Sequence, residues 1–412
     1  MDILLERCAG LDVHLKTVVA CVREPGDREE RARRRSEVRT FSTTTPGLLD
    51  LHQWLAERGV THVAMESTGI YWRPVYNVLE GAFELLLVNA RHVKTVPGRK
   101  TDVKDCEWLA QLLEHGLLRS SFVPPEPIRD LRDLTRYRKT LIHERCAHIN
   151  RVAKTLEMAN IKLGTVATDI MGKSGRAMIE ALIAGESDPA ALAGLAQGLL
   201  KKKRDALVPA LTGRLRPHHA FMLRQQLRVI DDLTKSVEEF DARIQECMRP
   251  FAEASAVMQT MRGVALRSAE ALLAEIGVDM TRFPTAEHLA SWARICPGNN
   301  ESGGKRLSGS TGKGNNWLKS TLVEAAWAAA RCKGSYYGAL YRRLRARRGA
   351  KRAIVAVAHA MLHAMWHMLS RKANHHDLGA EHFDQLNRER LRRHHLKRLA
   401  QLGLTVTAQE AA

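Results

Sequence analysis

Short apolar runs alternate with amphipathic stretches between residues 10 and 116, and this alternation constrains the fold more than any other feature of the chain. GLDVHLKTVVACV (residues 10–22) reads as a first strand, and EVRTFSTT (37–44) as a polar-alternating strand able to pair with it. Pro46 opens an amphipathic helix, GLLDLHQWLAERG. A strand THVAMES (61–67), a helix around Trp72 to Leu79, a strand FELLLVN (83–89) and a helix DVKDCEWLAQLLEHG (102–116), closed by Gly116, follow in turn. Strands followed by such units predict an α/β mixed sheet with covering helices. Ligand residues in these sheets gather outside the strand ends. Four carboxylates fall there, where a strand ends or a helix begins: Asp12, Glu66, Asp102 and Asp105.

Asp12 sits on the first strand, with Leu11 and Val13 directed to the opposite face by the period of two. A carboxylate inside an apolar strand costs on the order of several kcal/mol unless it is paired or bound to a metal. Glu66 ends the fourth strand, where an exposed acid is equally ordinary. Asp102 and Asp105, spaced i, i+3, share one face of a first helical turn. That pair also suits a purely structural role, as N-cap and first-turn anion. Together the four acids form a set of hard oxygen ligands able to hold Mg²⁺ against a phosphodiester.

Sixty-four Lys and Arg against forty-five Asp and Glu give a formal charge of 64 − 45 = +19, which implies a polyanionic partner. The basic residues come in blocks: Arg31 with Arg33 to Arg35, Lys201 to Arg204, Arg342 to Arg352, and Arg388 to Arg398. One such block is commonly a solvated face, whereas four point to phosphate-backbone binding. The 412 residues exceed the roughly 250–300 that a single core holds, so two or three domains are expected. No run of eighteen uncharged apolar residues occurs, and MDILLERCAG does not resemble a signal peptide, so a cytoplasmic protein with no membrane partner is expected. The seven cysteines form no C-x-x-C pair, which argues against a zinc knuckle or a disulfide framework and predicts reduced, mostly buried thiols.

Ile128 to Leu156 reads as a long basic amphipathic helix. Between Pro217 and Pro250 a heptad places Leu223, Ile230, Val237 and Ile244 at a, and Leu233, Phe240 and Cys247 at d, with Gln226 breaking the d series. A coiled coil and a helix packed in its own domain fit this pattern equally. VMQTMRGVALRSAEALLAEIG (257–277) reads as helix, turn, helix. CPGNNESGGKRLSGSTGKGNNWLKSTLVEAA (296–326) is a glycine-rich basic loop that lacks the Walker A spacing. Within it Ser302, beside Gly303, Gly304 and Lys305, can present its hydroxyl on a backbone that approaches a phosphate, although a plain solvated turn has the same composition. Lys305, Arg306, Lys313, Arg342, Arg343 and Arg345 are the candidate phosphate contacts. His359, His363 and His367 share one helix face, where no acid or cysteine completes a zinc set, so a packed or DNA-facing role is favoured.

GLDVHLKTVVACV, AMESTGIYWRPVYNVLE and VNARHVKTVPGRKTDVKDCEWLAQLL resemble the acid motifs of the transposases of the insertion-sequence family numbered 110, the DEDD-type, bridge-RNA-guided recombinases. ESGGKRL is similar to the motif of that family's nucleophilic serine, with Ser308 and Ser310 as nearby rivals to Ser302, and the resemblance extends from residue 10 to about 370. It implies a RuvC-like, RNase H-type domain over 1–150 whose metal ligands are Asp12, Glu66, Asp102 and Asp105. A helical linker with a coiled coil over 151–255, a mainly helical transposase domain over 256–371 and a basic tail over 372–412 would follow. The helical hairpin at 257–277 resembles the family's helix-hairpin-helix, with Ala265 in place of its second turn glycine. The resemblance further implies two Mg²⁺ ions, a phosphoserine intermediate on Ser302, a structured guide RNA, DNA as substrate and a homo-oligomer, dimer or tetramer. The alternatives are a RuvC-like hydrolytic nuclease acting on branched DNA, and a non-enzymatic nucleic-acid-binding protein.

Overall fold

The computed structural model describes residues 3–26, 34–67, 69–89, 93, 105–296, 300–308, 311, 312, 314–386 and 388–402. The chain divides into two compact units, Met1–Pro124 and Pro125–Ala412. The first holds β1 (Cys8–Val13), β2 (Thr17–Pro25), β3 (Arg34–Ser42), α1 (Thr45–Glu57), β4 (His62–Glu66), α2 (Trp72–Leu79), β5 (Glu84–Val88) and α3 (Asp105–Glu114). Its five-stranded sheet runs β3-β2-β1-β4-β5, antiparallel through β3, β2 and β1 and parallel from β1 to β4 to β5. This is the mixed, helix-covered sheet of a RuvC-like domain. One expectation changes: residues 10–22 are two strands rather than one. His14, Leu15 and Lys16 are exposed, and the His14 N–H donates to the Thr17 carbonyl at 2.9 Å, so the chain turns back there. The period-two pattern continues on both sides of the turn, which hid it. The strand expected at 37–44 pairs with β2, the second half of that run.

Both faces of the sheet are covered. Ala9, Leu11 and Val13 of β1 join Val63, Met65 and Leu87 against α1 and α2, where Leu48, Leu51, Leu55, Val75 and Leu79 meet them. On the other face Cys8, Ala64 and Val88 pack beneath Trp108, Leu109, Leu112 and Leu113 of α3. Burial on two sides explains why β1 and β4 read as nearly continuous apolar runs. Glu114, almost fully buried, is held by Arg23 at 2.9 Å and Arg34 at 2.5 Å, so Arg34 of the first basic block serves the fold.

The second unit opens with α4 (Glu126–Met158), within which residue 150, the expected end of the first domain, falls. Short helices between Leu163 and Leu211 lead to α5 (Pro217–Met248). Contacts Arg138–Asp241, Arg145–Thr234 and Thr155–Gln226 run in opposite senses along the two helices, so α4 and α5 form an antiparallel pair. Leu223, Ile230, Val237 and Ile244 are buried, whereas Leu233, Phe240 and Cys247 remain partly exposed. Gln226 is buried too, at 3.4 Å from Thr155 Oγ1, which supplies its hydrogen bond. The a positions are therefore filled from within the chain.

Beyond lie α6 (Ala252–Gln259), α7 (Leu266–Ile276), α8 (Ala286–Trp292), the hairpin β6 (Asn300–Ser302) and β7 (Lys305–Ser308), α9 (Asn316–Arg331), α10 (Tyr336–Arg348) and α11 (Ala350–Arg371). Among the described residues α11 alone is long and apolar enough to cross a membrane by length and composition, and half of that stretch is buried within the protein. The thiols also depart from expectation: Cys8, Cys21 and Cys106 are buried, but Cys146 is exposed and Cys247, Cys296 and Cys332 are partly so. Burial pushes Cys8 and Cys21 up to about 12.

Candidate functional site

The register of the parallel pair β1–β4 ends at Leu11 opposite Met65, so Asp12 and Glu66 are the next residues on two neighbouring strands. Both alternate in phase with Cys8, Gly10 and Ala64, which places them on the α3 face. Gly10 lets α3 lie at backbone contact: a Cβ there would stand 2.3 Å from the Cys106 carbonyl oxygen and 2.4 Å from the Ala110 nitrogen. The Cys8 thiol donates to the Ala110 carbonyl at 3.5 Å, so α3 runs counter to β1 and brings its first residue, Asp105, toward the Asp12 end. Asp12 and Glu66 thus share one face at the ends of neighbouring strands, and α3 starts toward that end with Asp105. Asp102 lies outside the described residues.

Asp12 is neither deeply buried nor alone: its side chain is 29 % exposed and lies 3.1 Å from His14 Nε2. Solvent access and this pairing lower the cost that an acid in an apolar strand would carry. His14 escaped the sequence reading, since a histidine in a polar turn gives no signal of its own. Hard oxygen donors at adjacent strand ends suit a hard divalent cation. Among the described residues, however, no three His, Cys, Asp or Glu side chains stand close enough to enclose one.

The serine lies elsewhere, and not on a loop. Asn300–Ser302 pairs with Lys305–Ser308 as a two-stranded hairpin, Ser302 opposite Lys305, with Gly303 and Gly304 as the turn. Both glycines have positive φ, +56° and +76°, which the tight two-residue turn requires. Space around both is open, so Ser302 stands one residue from an unobstructed tip. The side chains of Ser302, Arg306 and Ser308, and the whole of Ser310 and Lys313, lie outside the described residues.

A buried network anchors the chain just after this hairpin. Asn315 caps α9, accepting from the Trp317 and Leu318 amides, and donates to Glu275 at the end of α7. Glu275, 3 % exposed, also accepts from Arg136 at 2.7 and 2.8 Å and stands 3.4 Å from Arg132. None of these four residues was singled out in the sequence, and only the Asn-Asn pair before an apolar run could have flagged the cap. Nearby, Gly263 turns α6 into α7 at φ +88°, and a Cβ on it would stand 2.4 Å from the Ala325 carbonyl of α9. Ala265 is the N-cap of α7 with φ −96°, a conformation that needs no glycine, which accounts for the alanine there.

Of the candidate phosphate contacts, Lys305, Arg342 and Arg345 are exposed. Arg343 is half-buried, 5.5 Å above the Phe383 ring. Lys201 to Arg204 are exposed as well.

Comparison with known proteins covers both units. Residues 9–161 match a model of DEDD-type transposases of the IS110 group, described as "Transposase", and residues 255–342 match one described as "Transposase IS116/IS110/IS902 family". The chain is similar to a probable family 20 transposase of Pseudomonas aeruginosa strain PAO1, 26 % identical over 306 residues that cover 73 % of this chain and 76 % of the relative. A transposase acts on DNA, and a DEDD-type domain implies dependence on a divalent metal. The first match contains the strand-end acids and the second the serine hairpin with the α6–α7 turn: the chain belongs to the IS110 family of transposases.

Proposed function

We propose that the protein is a DNA recombinase that mobilises an insertion sequence in the cytoplasm by cutting and rejoining strands through a phosphoserine intermediate. The observation that carries the metal-dependent half is the placement of Asp12 and Glu66 on one face of adjacent strand ends, with α3 bringing Asp105 toward them. These acids, with Asp102, would hold Mg²⁺, as one ion or a pair. The bound metal supplies charge neutralisation at the scissile phosphate. His14 orients the Asp12 carboxylate through its 3.1 Å contact. The Ser302 hydroxyl attacks the phosphorus: an Oγ–P bond forms, one backbone P–O bond breaks, and the proton lost from serine balances the one gained by the departing hydroxyl. Because the ester keeps the energy of the broken bond, a second strand's hydroxyl can displace the serine and reseal without ATP. A structured guide RNA choosing donor and target by base pairing, and a dimer or tetramer joined through the partly exposed d positions of α5, complete the proposal.

Wild-type protein incubated with nicked suicide DNA in Mg²⁺ is expected to give a protein–DNA adduct that survives denaturation. Asp12→Asn should abolish the adduct while DNA affinity stays within about twofold, and Ser302→Ala should give none where Ser308→Ala and Ser310→Ala still do. Free DNA ends with no adduct and a fully active Ser302→Ala would instead identify a hydrolytic nuclease.

A further inference from the structure

The second unit contains a cavity of about 720 Å³ that the recombination chemistry leaves unused. Its floor is α11, which contributes His359, His363, His367 and Arg371, and its walls are the start of α10 and the segment after α11, with Tyr336 and His375. We propose that this cavity binds an unpaired nucleotide of a single-stranded nucleic acid, its base against the imidazole rings and its phosphate toward Arg371. The inference rests on the reading of the chain as a nucleic-acid enzyme and adds a site to it.

Three observations support this occupant. The walls are π surfaces with polar edges, the chemistry that stacks a base and reads its rim. His359 and His363 lie with ring centroids 4.3 Å apart, and Tyr337 and His375 are stacked at 5.5 Å with a 3.0 Å hydrogen bond between Tyr337 Oη and His375 Nε2. Burial holds His359 and His375 below the usual imidazole range, so both are neutral rings at physiological pH. Second, His367 is exposed and the His363 side chain a quarter exposed, so both rings are reachable from the cavity, while His363 Nδ1 stands 3.9 Å from Glu287. Third, the charge is complementary to a polyanion. No carboxylate is among the described lining residues, Arg371 is exposed at the rim, and α10 leads away from the cavity carrying exposed Arg342, Arg345, Arg347 and Arg348. Zinc fits less well, because no group of three potential metal ligands converges among the described residues.

The test measures affinity of the full-length protein for fluorescein-labelled oligodeoxythymidylate, its ribonucleotide counterpart, and a duplex of matched length. His363→Ala and His367→Ala should each weaken single-strand binding by roughly 5- to 150-fold, the range that loss of one stacked base produces. The DNA and RNA arms tell which strand supplies the nucleotide. Thermal unfolding of both variants controls for folding, and photocrosslinking of wild-type protein to 4-thiothymidine or 4-thiouridine oligonucleotides should modify peptides containing Tyr336 or residues 359–376. Unchanged single-strand affinity in both variants, or crosslinks confined to other peptides, would overturn the proposal while leaving the recombinase reading intact. A wild-type protein that binds none of the three probes would sink both. Single-strand binding abolished by a chelator and restored by Zn²⁺ would make the cavity a metal site instead.

Discussion

At the scale of single residues, Gly10 governs the acid cluster although it carries no chemistry. With 2.3 Å between its missing Cβ and a helix carbonyl, any side chain pushes α3 off β1 and carries Asp105 away from Asp12. Gly10→Ala is therefore expected to destabilise the first unit by about 1–3 kcal/mol, the range for overpacking a tight interior. The check is a lower urea midpoint together with lost DNA cleavage; a variant as stable and active as wild type would mean that α3 does not depend on this contact. His359 makes a second residue-scale prediction. Burial, then the neighbouring His363, lowers its pKa, and burial does the same for His375. The unfolded chain, with imidazoles near 6.5, then binds more protons than the folded one below that pH. The stability these groups contribute is present above the unfolded value and is lost as pH falls through the lower folded values. The melting temperature should fall from about pH 7.5 to about pH 5, and His359→Asn should flatten that fall.

At the scale of elements, the Glu275 network joins α4, α7 and α9 and anchors the chain at Asn315, seven residues after the serine hairpin. Removing its charge leaves Arg132 and Arg136, 13 % and 28 % exposed, without their carboxylate. Breaking such a buried pair costs about 3–5 kcal/mol, with the partial exposure of Arg136 favouring the lower end. Glu275→Gln should accordingly lower the urea midpoint of the second unit and reduce the yield of serine adduct. Equal stability and yield would show that the Asn315 cap and helix packing hold the hairpin unaided. The α4–α5 pair makes a related point about its heptad. The a positions of that seam are buried within the molecule, its d positions stay partly exposed, and Gln226 at its break is bonded to Thr155.

At the scale of the whole molecule, the net charge of +19 is the dominant property. Part of it is internal, as Arg23 and Arg34 on Glu114 illustrate. Arg342, Arg345, Arg347 and Arg348 on α10 are exposed and pair with no acid among the described residues, whereas Arg343 lies over Phe383. Replacing all five with Gln should weaken DNA binding irrespective of sequence. The slope of log affinity against log salt should fall by up to about 3.6, from four lost contacts at about 0.9 each. Anisotropy titrations across a salt series measure this, and an unchanged slope would place α10 away from the phosphates.

Periodicity, acid placement and charge are local properties, and these the sequence by itself determined. Residues two apart share a strand face and residues three or four apart share a helix face, so the α/β character of the first unit, the helical second unit, the place of Asp12 on the first strand and the strand-end position of Glu66 were legible in it; that the first strand ends just after Asp12 was not. The resemblance of the acid and serine motifs led to the family that the comparisons then established. Tertiary structure decided the rest, because the deciding contacts join residues far apart in the chain. The turn at His14 to Lys16 interrupts no hydrophobic pattern and emerges only from pairing. The contact of Gly10 with α3 spans about a hundred residues, and that of Glu275 with Arg132 and Arg136 about 140. The Ser302 hairpin looked like a loop because glycine-rich composition does not distinguish a solvated turn from the tip of paired strands. Local sequence encodes which residues share a face; only the packed chain decides what that face meets.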